Sequence, residues 1–335
     1  MRGANFRLVC GLPATYKSSM NNNPQSNSCP FMNRRRFLRN VALWSAGAVV
    51  APPLFRMISR ANAAEAASPT LVVAKGTDYE ALVAKALEPL GGLDPFLKKG
   101  ARVVIKPNIG WDRTPEQAAN THPLLVKAMV KHCLAAGAAK VMVFDRTCND
   151  CRLTYVTSGI QKIVQSIEDP RVTCTFVDDR KFVPVKIAKG KAVTEWDFYK
   201  DALDADCYLN MPVAKHHRLA GLTLGLKNIF GVVGGKRGQL HQSISQKIAD
   251  LNTIRPATFT VIDATRILLR NGPSGGKLDD VKELHTLIAS ADTVATDAYA
   301  TTLFDMKPDA IESTRCAAEM GLGVMDLNKI KIVKV

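Results

Sequence analysis

Short β-branched runs alternate with longer stretches whose apolar positions recur at helical spacing through most of the chain after residue 64. The runs predict strands at Leu71–Ala74, Arg102–Lys106, Lys140–Phe144, Val172–Val177, Asp206–Asn210 and Phe259–Asp263. The longer stretches predict helices over Tyr79–Leu90, Pro123–Ala136, Ser158–Ile167, Ser243–Ile254 and Asp292–Phe304, with Gly137 as the carboxyl-terminal cap of the second. Phe182–Ile187 and Ala192–Glu195 read as a hairpin around Lys189-Gly190-Lys191. No internal repeat or heptad interrupts this alternation. The pattern predicts an α/β fold, a largely parallel sheet with helices on both faces, in a single domain spanning residues 64–335.

Several of these strands run into polar residues: Lys106-Pro107-Asn108, Asp145, Asn210 and Asp263. Ligands of open α/β sheets bind beyond the carboxyl ends of the strands, so these residues would share one crevice if the strands are parallel neighbours. Asn and Asp also favour turns and helix caps, and any one of them taken alone fits that plainer role.

Charge changes the picture at the amino terminus. The chain has 335 residues and a formal net charge of +15, yet no acidic residue precedes Glu65. Nine Lys and Arg fall in residues 1–63, including the run Asn33-Arg34-Arg35-Arg36-Phe37-Leu38-Arg39. A weakly apolar stretch Val41–Val50 follows, and then Ala61-Asn62-Ala63. This resembles a twin-arginine export signal over residues 32–63, with Arg34, Arg35, Phe37 and Leu38 in the recognition run and cleavage at Ala63. The apolar run is far shorter than the roughly 20 residues of a membrane span, so no permanent span is expected. Residues 1–31 read as an extension preceding a true start at Met32. Cleavage leaves 36 basic against 30 acidic residues, a net charge of about +6, which removes the main argument for a nucleic-acid partner. The expected partners are the twin-arginine translocase during export and a small anionic ligand, and the expected location is the periplasm.

The densest chemistry lies between Asn210 and Asp250, where three of the six histidines, His216, His217 and His241, accompany Lys227, Gly234, Gly235, Lys236 and Arg237. Glycines let backbone amides approach an anion, and the cations supply charge. The spacing is not that of a Walker A loop, since Phe230 stands where its first glycine belongs. Imidazoles near carboxylates suit nickel, iron or zinc, with His217 and His241 as ligands, and Lys227 in apolar surroundings suits a base or nucleophile. Equally, His216 and His217 fit a surface pair and Lys227 a helix-end charge. Cys148 and Cys151 form a CxxC that reads as a redox pair, a disulfide or two metal ligands. Trp111 and the Asn271–Gly276 loop are candidate walls of the crevice.

Lys106-Pro107-Asn108, His122-Pro123, the Gly225-Leu226-Lys227-Asn228-Ile229-Phe230-Gly231 core, Asp250, Asp263, Asn271-Gly272-Pro273 and Asp297-Ala298 together resemble the family known as domain of unknown function 362. Many members of that family carry an iron–sulfur module, which this chain lacks. A fainter similarity is to nickel-dependent lactate racemases, through His217, Gly221, Gly225, Lys227 and His241. That resemblance implies a nickel pincer cofactor attached at the lysine. These readings converge on an exported enzyme acting on a small anion by redox or hydroxyacid chemistry. Lys227, His217, Asp145 and Asp263 would be catalytic, and Lys106, Asn108, Asn210, Gly234, Gly235, Lys236 and Arg237 would hold the anion. The alternative is a periplasmic binding or cofactor-carrier protein without turnover.

Overall fold

The computed structural model describes residues 68–335; Arg34, Arg35, Phe37, Leu38 and the cleavage position Ala63 lie outside the described residues. The strands are β1 (Thr70–Lys75), β2 (Arg102–Pro107), β3 (Lys140–Val143), β4 (Val172–Cys174), β5 (Phe182–Lys186), β6 (Glu195–Tyr199), β7 (Cys207–Met211), β8 (Val213–His217), β9 (Gly221–Thr223), β10 (Phe259–Leu268), β11 (Val281–Ser290) and β12 (Lys331–Lys334). The helices are α1 (Tyr79–Leu87), α2 (Pro123–Ala135), α3 (Cys151–Thr157), α4 (Ile160–Gln165), α5 (Lys200–Leu203), α6 (Ile244–Asn252), α7 (Thr293–Thr301) and α8 (Glu312–Glu319). Ten strands form one sheet in the order β12-β1-β11-β10-β7-β2-β3-β4, with β8 beside β10 and β9 beside β8, while β5 and β6 pair separately.

The sheet is mostly parallel. From β10 through β7, β2, β3 and β4 every pairing is parallel, whereas β11 runs antiparallel between β1 and β10. The central strands read as unbroken apolar runs because both their faces are covered. Val103 and Ile105 of β2 pack with α1, α2 and α4 through Leu82, Leu125, Met129 and Val164. Val104, between them, points to the other face and joins Ile248 and Leu251 of α6, Val294 of α7 and Ala317 of α8. Local signals set the helix ends. The Asp78 side chain accepts from the Ala81 amide at 2.7 Å to start α1, Pro123 opens α2, and Gly137 leaves α2 at φ +84°.

Differences from the sequence reading have local causes. β4 stops at Cys174 instead of continuing to Val177, and the second hairpin strand is 195–199 instead of 192–195. β10 continues five residues past Asp263 to Leu268 because β11 stays beside it and β8 takes the edge that β7 leaves. β11 was not predicted, since Lys282, Glu283 and His285 in its first half face solvent and break any apolar run. β7 and β8 form one path along β10 interrupted at Pro212, which has no amide to donate. β2 ends at Pro107 opposite Met211, so β8 stands beyond the carboxyl edge of β2 and forms a wall above it.

Candidate anion-binding site

That edge holds a cavity of about 680 Å³. Lys106 and Asn108 enter it from the end of β2, Asp145 from the residues after β3, and Lys215, His216 and His217 from β8. The opposite side is the short 3₁₀ helix Lys227–Val232, all six residues of which are buried. Its entry turn is fixed from behind: Asp297 on α7 accepts from the Gly225 and Leu226 amides at 2.7 and 2.9 Å, and Asn210 donates to the Gly225 carbonyl at 2.9 Å. A β-carbon at position 225 would press on Asp297 and Thr293 at 2.7 Å, so only glycine admits this packing. Burial pushes the Asp297 carboxyl up to about 7 against the two amide donors that favour its charged form.

Three lysines reach the cavity with almost no exposure: Lys106, Lys215 and Lys227. Lys106 Nζ lies 3.0 Å from Asp145 Oδ1 and donates to Asn228 Oδ1. Lys215 Nζ donates to Asn108 Oδ1 at 3.1 Å and to the Ala119 carbonyl. Asn108 Nδ2 donates to Asn228 Oδ1 at 3.3 Å, so Lys106, Asn228, Asn108 and Lys215 form one hydrogen-bonded chain. Asn228 Nδ2 is spent on the Lys106 carbonyl and on Asn210 Oδ1, which fixes the orientation of its amide. Among the described residues no acceptor meets Lys227 Nζ, which lies 3.5 Å from the centre of the Phe230 ring.

The charges do not balance. Six cationic side chains, Lys106, Arg146, Lys215, Arg218, Lys227 and Arg237, line the cavity against the single acid Asp145. Desolvation of the charged form, only partly opposed by neighbouring negative groups, holds Lys215 and Lys227 down to about 7. Lys106 is lowered by burial and partly restored by Asp145. His217 falls to about 3, mainly from burial and then from the charges of Lys227 and Lys215, so it is neutral. Its Nδ1 accepts from the Leu219 and Ala220 amides at 3.2 and 3.1 Å, which assigns the ring proton to Nε2.

That tautomer decides the metal question. A histidine that binds a metal through Nε2 offers a lone pair there and donates from Nδ1, the reverse of His217. His241 stacks on His217 with ring centres 6.3 Å apart, and no group of three His, Cys, Asp or Glu side chains among the described residues is placed to hold a metal. Nickel, iron or zinc held jointly by His217 and His241 does not fit the His217 ring, whose Nε2 carries the proton. His241 Nδ1 faces the Gly238 carbonyl at 3.3 Å, which leaves the lone pair of its ring on Nε2.

Of the residues singled out in the sequence, Lys106, Asn108, Asp145, Cys148, His217, Lys227, Arg237 and His241 line the cavity, as do Trp111 and Asn271 to Ser274. Others do not. Asp263 is buried elsewhere, accepting from the His122 amide at 2.8 Å and from the Thr265 amide and hydroxyl, so it caps α2 and a turn. Asn210 supports the Gly225 turn from behind. Gly234 and Gly235 turn carbonyls towards Trp196 and Arg146 instead of presenting amides to a ligand, and Lys236 points to solvent. Cys148 and Cys151 are free thiols; the first lines the cavity, while the second opens α3 and packs against the core. Sequence reasoning missed Lys215 and Asn228 as site residues, although both lie in the segment that it marked.

A family profile described as "Domain of unknown function (DUF362)" matches residues 103–302. A thylakoid-associated protein of Synechocystis sp. is 27% identical over 250 residues, which cover 70% of this chain and 73% of that protein. Among solved structures, a protein from Thermotoga maritima aligns with a TM-score of 0.44 at 13% identity over 70% of this chain. The lactate racemase apoprotein from Thermoanaerobacterium thermosaccharolyticum aligns at 0.41 and 14% identity over 66% of this chain. The alignments span 60% and 54% of those two longer chains.

Proposed function

We propose that this chain, which belongs to the DUF362 family, is an exported enzyme that binds a small organic anion at the carboxyl edge of its sheet and acts on it through Lys227. One observation carries this reading: three buried lysines share a cavity with one acid, and the amine of Lys227 has no acceptor there. A buried cation without a counter-charge is costly, and a bound anion offsets that cost. Lys106 and Lys215, tied together through Asn108 and Asn228, hold the anionic group. His217 supplies a neutral Nε2–H donor. No step is assigned to a metal, because the histidine pair does not fit one. Export through the twin-arginine translocase to the periplasm rests on residues 32–63 of the sequence, and no described helix is long and apolar enough to cross a membrane.

Proton linkage tests the site. Lys215 and Lys227 lie at about 7 in the ligand-free protein, and a bound anion raises both. Calorimetric titration with oxalate or inorganic phosphate at pH 8, in buffers of different ionisation enthalpy, is expected to show net proton uptake. At pH 5.5, where both amines already carry their protons, the uptake is expected to vanish. Absence of binding by either anion, or binding at pH 8 without proton uptake, would overturn the proposal.

A further inference from the structure

We infer that Lys227 is a covalent nucleophile, condensing with the carbonyl carbon of a small 2-oxo carboxylate whose carboxylate is held by Lys106 and Lys215. The inference rests on the anion-binding reading of the cavity and adds to it the substrate class and the bond that forms.

The three buried lysines are not equivalent. Both Lys106 and Lys215 are surrounded by acceptors: Asp145 and Asn228 for the first, Asn108 and the Ala119 carbonyl for the second. Acceptors favour the ammonium form, in which the nitrogen has no lone pair to offer. Lys227 faces an aromatic ring and no acceptor. The ring face stabilises an ammonium group only modestly, and burial outweighs it, leaving a large share of free amine near neutrality. Lys215 and Lys227 share the lowered value of about 7, but two of the three lysines are tied to acceptors, and only the Lys227 amine, left without one, is open to attack a carbonyl.

The clamp and the amine are linked through one residue. Asn228, whose Oδ1 accepts from Lys106 and from Asn108, directly follows Lys227, so the turn that carries the amine also touches the anion clamp, and a carbonyl next to the carboxylate suits that arrangement. A carboxylate on the clamp places a 2-oxo carbon one bond away from its own carbon. It also supplies the negative charge that a cationic imine needs in a cavity already rich in cations. A cavity of 680 Å³ exceeds the needs of the carboxyl and carbonyl groups and leaves room for a side chain lying against Trp111.

The step balances without any further reactant. The Lys227 nitrogen lone pair attacks the carbonyl carbon, the carbonyl π electrons pass to oxygen, and one N–H proton is released as that oxygen is protonated. The resulting hydroxyl leaves as water, with a proton taken from solvent through the mouth formed by the exposed Arg218 and Leu219. A protonated imine remains on Lys227.

Borohydride reduction in the presence of pyruvate or 2-oxoglutarate, followed by peptide mass mapping of the wild-type protein, tests this. The expected result is one reduced adduct per chain, at Lys227, increasing as pH rises through 7 and suppressed by excess oxalate. Lys227→Arg is expected to bind oxalate and to form no adduct. Oxalate binding with no adduct, or with adducts scattered over other lysines, overturns the covalent role and leaves the anion site standing. Failure of oxalate to bind the wild-type protein removes the anion site itself.

Discussion

A methyl group at position 231 would occupy the space in which the Lys106 amine and the Asp145 carboxylate meet. Glycine stands there because the 3₁₀ helix crosses directly over the buried ion pair. Gly231→Ala is expected to push that pair apart at a cost of about 3 kcal/mol, the scale of breaking a buried ion pair or overfilling a core. Denaturant unfolding measures the loss, and oxalate binding is expected to weaken with it; an unchanged midpoint would show that the pair yields without cost. At this scale the sequence was readable where chemistry is rare. His217, Lys227 and Lys106 stand out as polar residues beside apolar or glycine-rich runs. Lys215 did not stand out, because a lysine between an alanine and two histidines looks exposed until β8 is known to lie along β10. Asp263, expected at a strand end, lies inside β10, and both it and Asn210 have their polar atoms taken up by neighbouring groups of the protein.

Among the elements, the turn that delivers Lys227 depends on a helix far away in the chain. Both Asp297 oxygens accept amides of that turn. Asp297→Ala leaves two buried donors unsatisfied, each costing about 1–3 kcal/mol. Hydrogen exchange at Gly225 and Leu226 is expected to rise by one to two orders of magnitude, with little change in the strands β2 and β3. Uniform loss of protection throughout the protein would instead mark Asp297 as a global support. Asp297-Ala298 was noticed in the sequence, but its target 72 residues earlier could not be read from spacing. Helical periodicity gave α1, α2, α6 and α7, the last of them buried nearly all round. The polar half of β11 and the Pro212 break gave no comparable signal, since their strand form depends on β10 as a partner.

For the molecule as a whole, the parallel run from β10 to β4 gathers Lys106 and Asp145 at one edge, as the alternation of strand and helix had anticipated, while the β8 wall above them was not anticipated. The formal charge of +15 had pointed elsewhere, because nine of its cations precede the first acid. The exported protein is expected to begin at Ala64 when sequenced from its amino terminus, and Arg34→Lys with Arg35→Lys is expected to keep it in the cytoplasm. A periplasmic form beginning at Met1 would overturn the signal assignment. Counting charges also overstates the cavity, where Lys215 and Lys227, both lowered to about 7, carry only part of their formal charge at neutral pH. If an incoming monoanion recruits about one proton to that amine pair, the complex gains almost no net charge. In thermodynamic terms, such a site is a receptor for the undissociated acid, assembled inside the protein from its conjugate base and a proton.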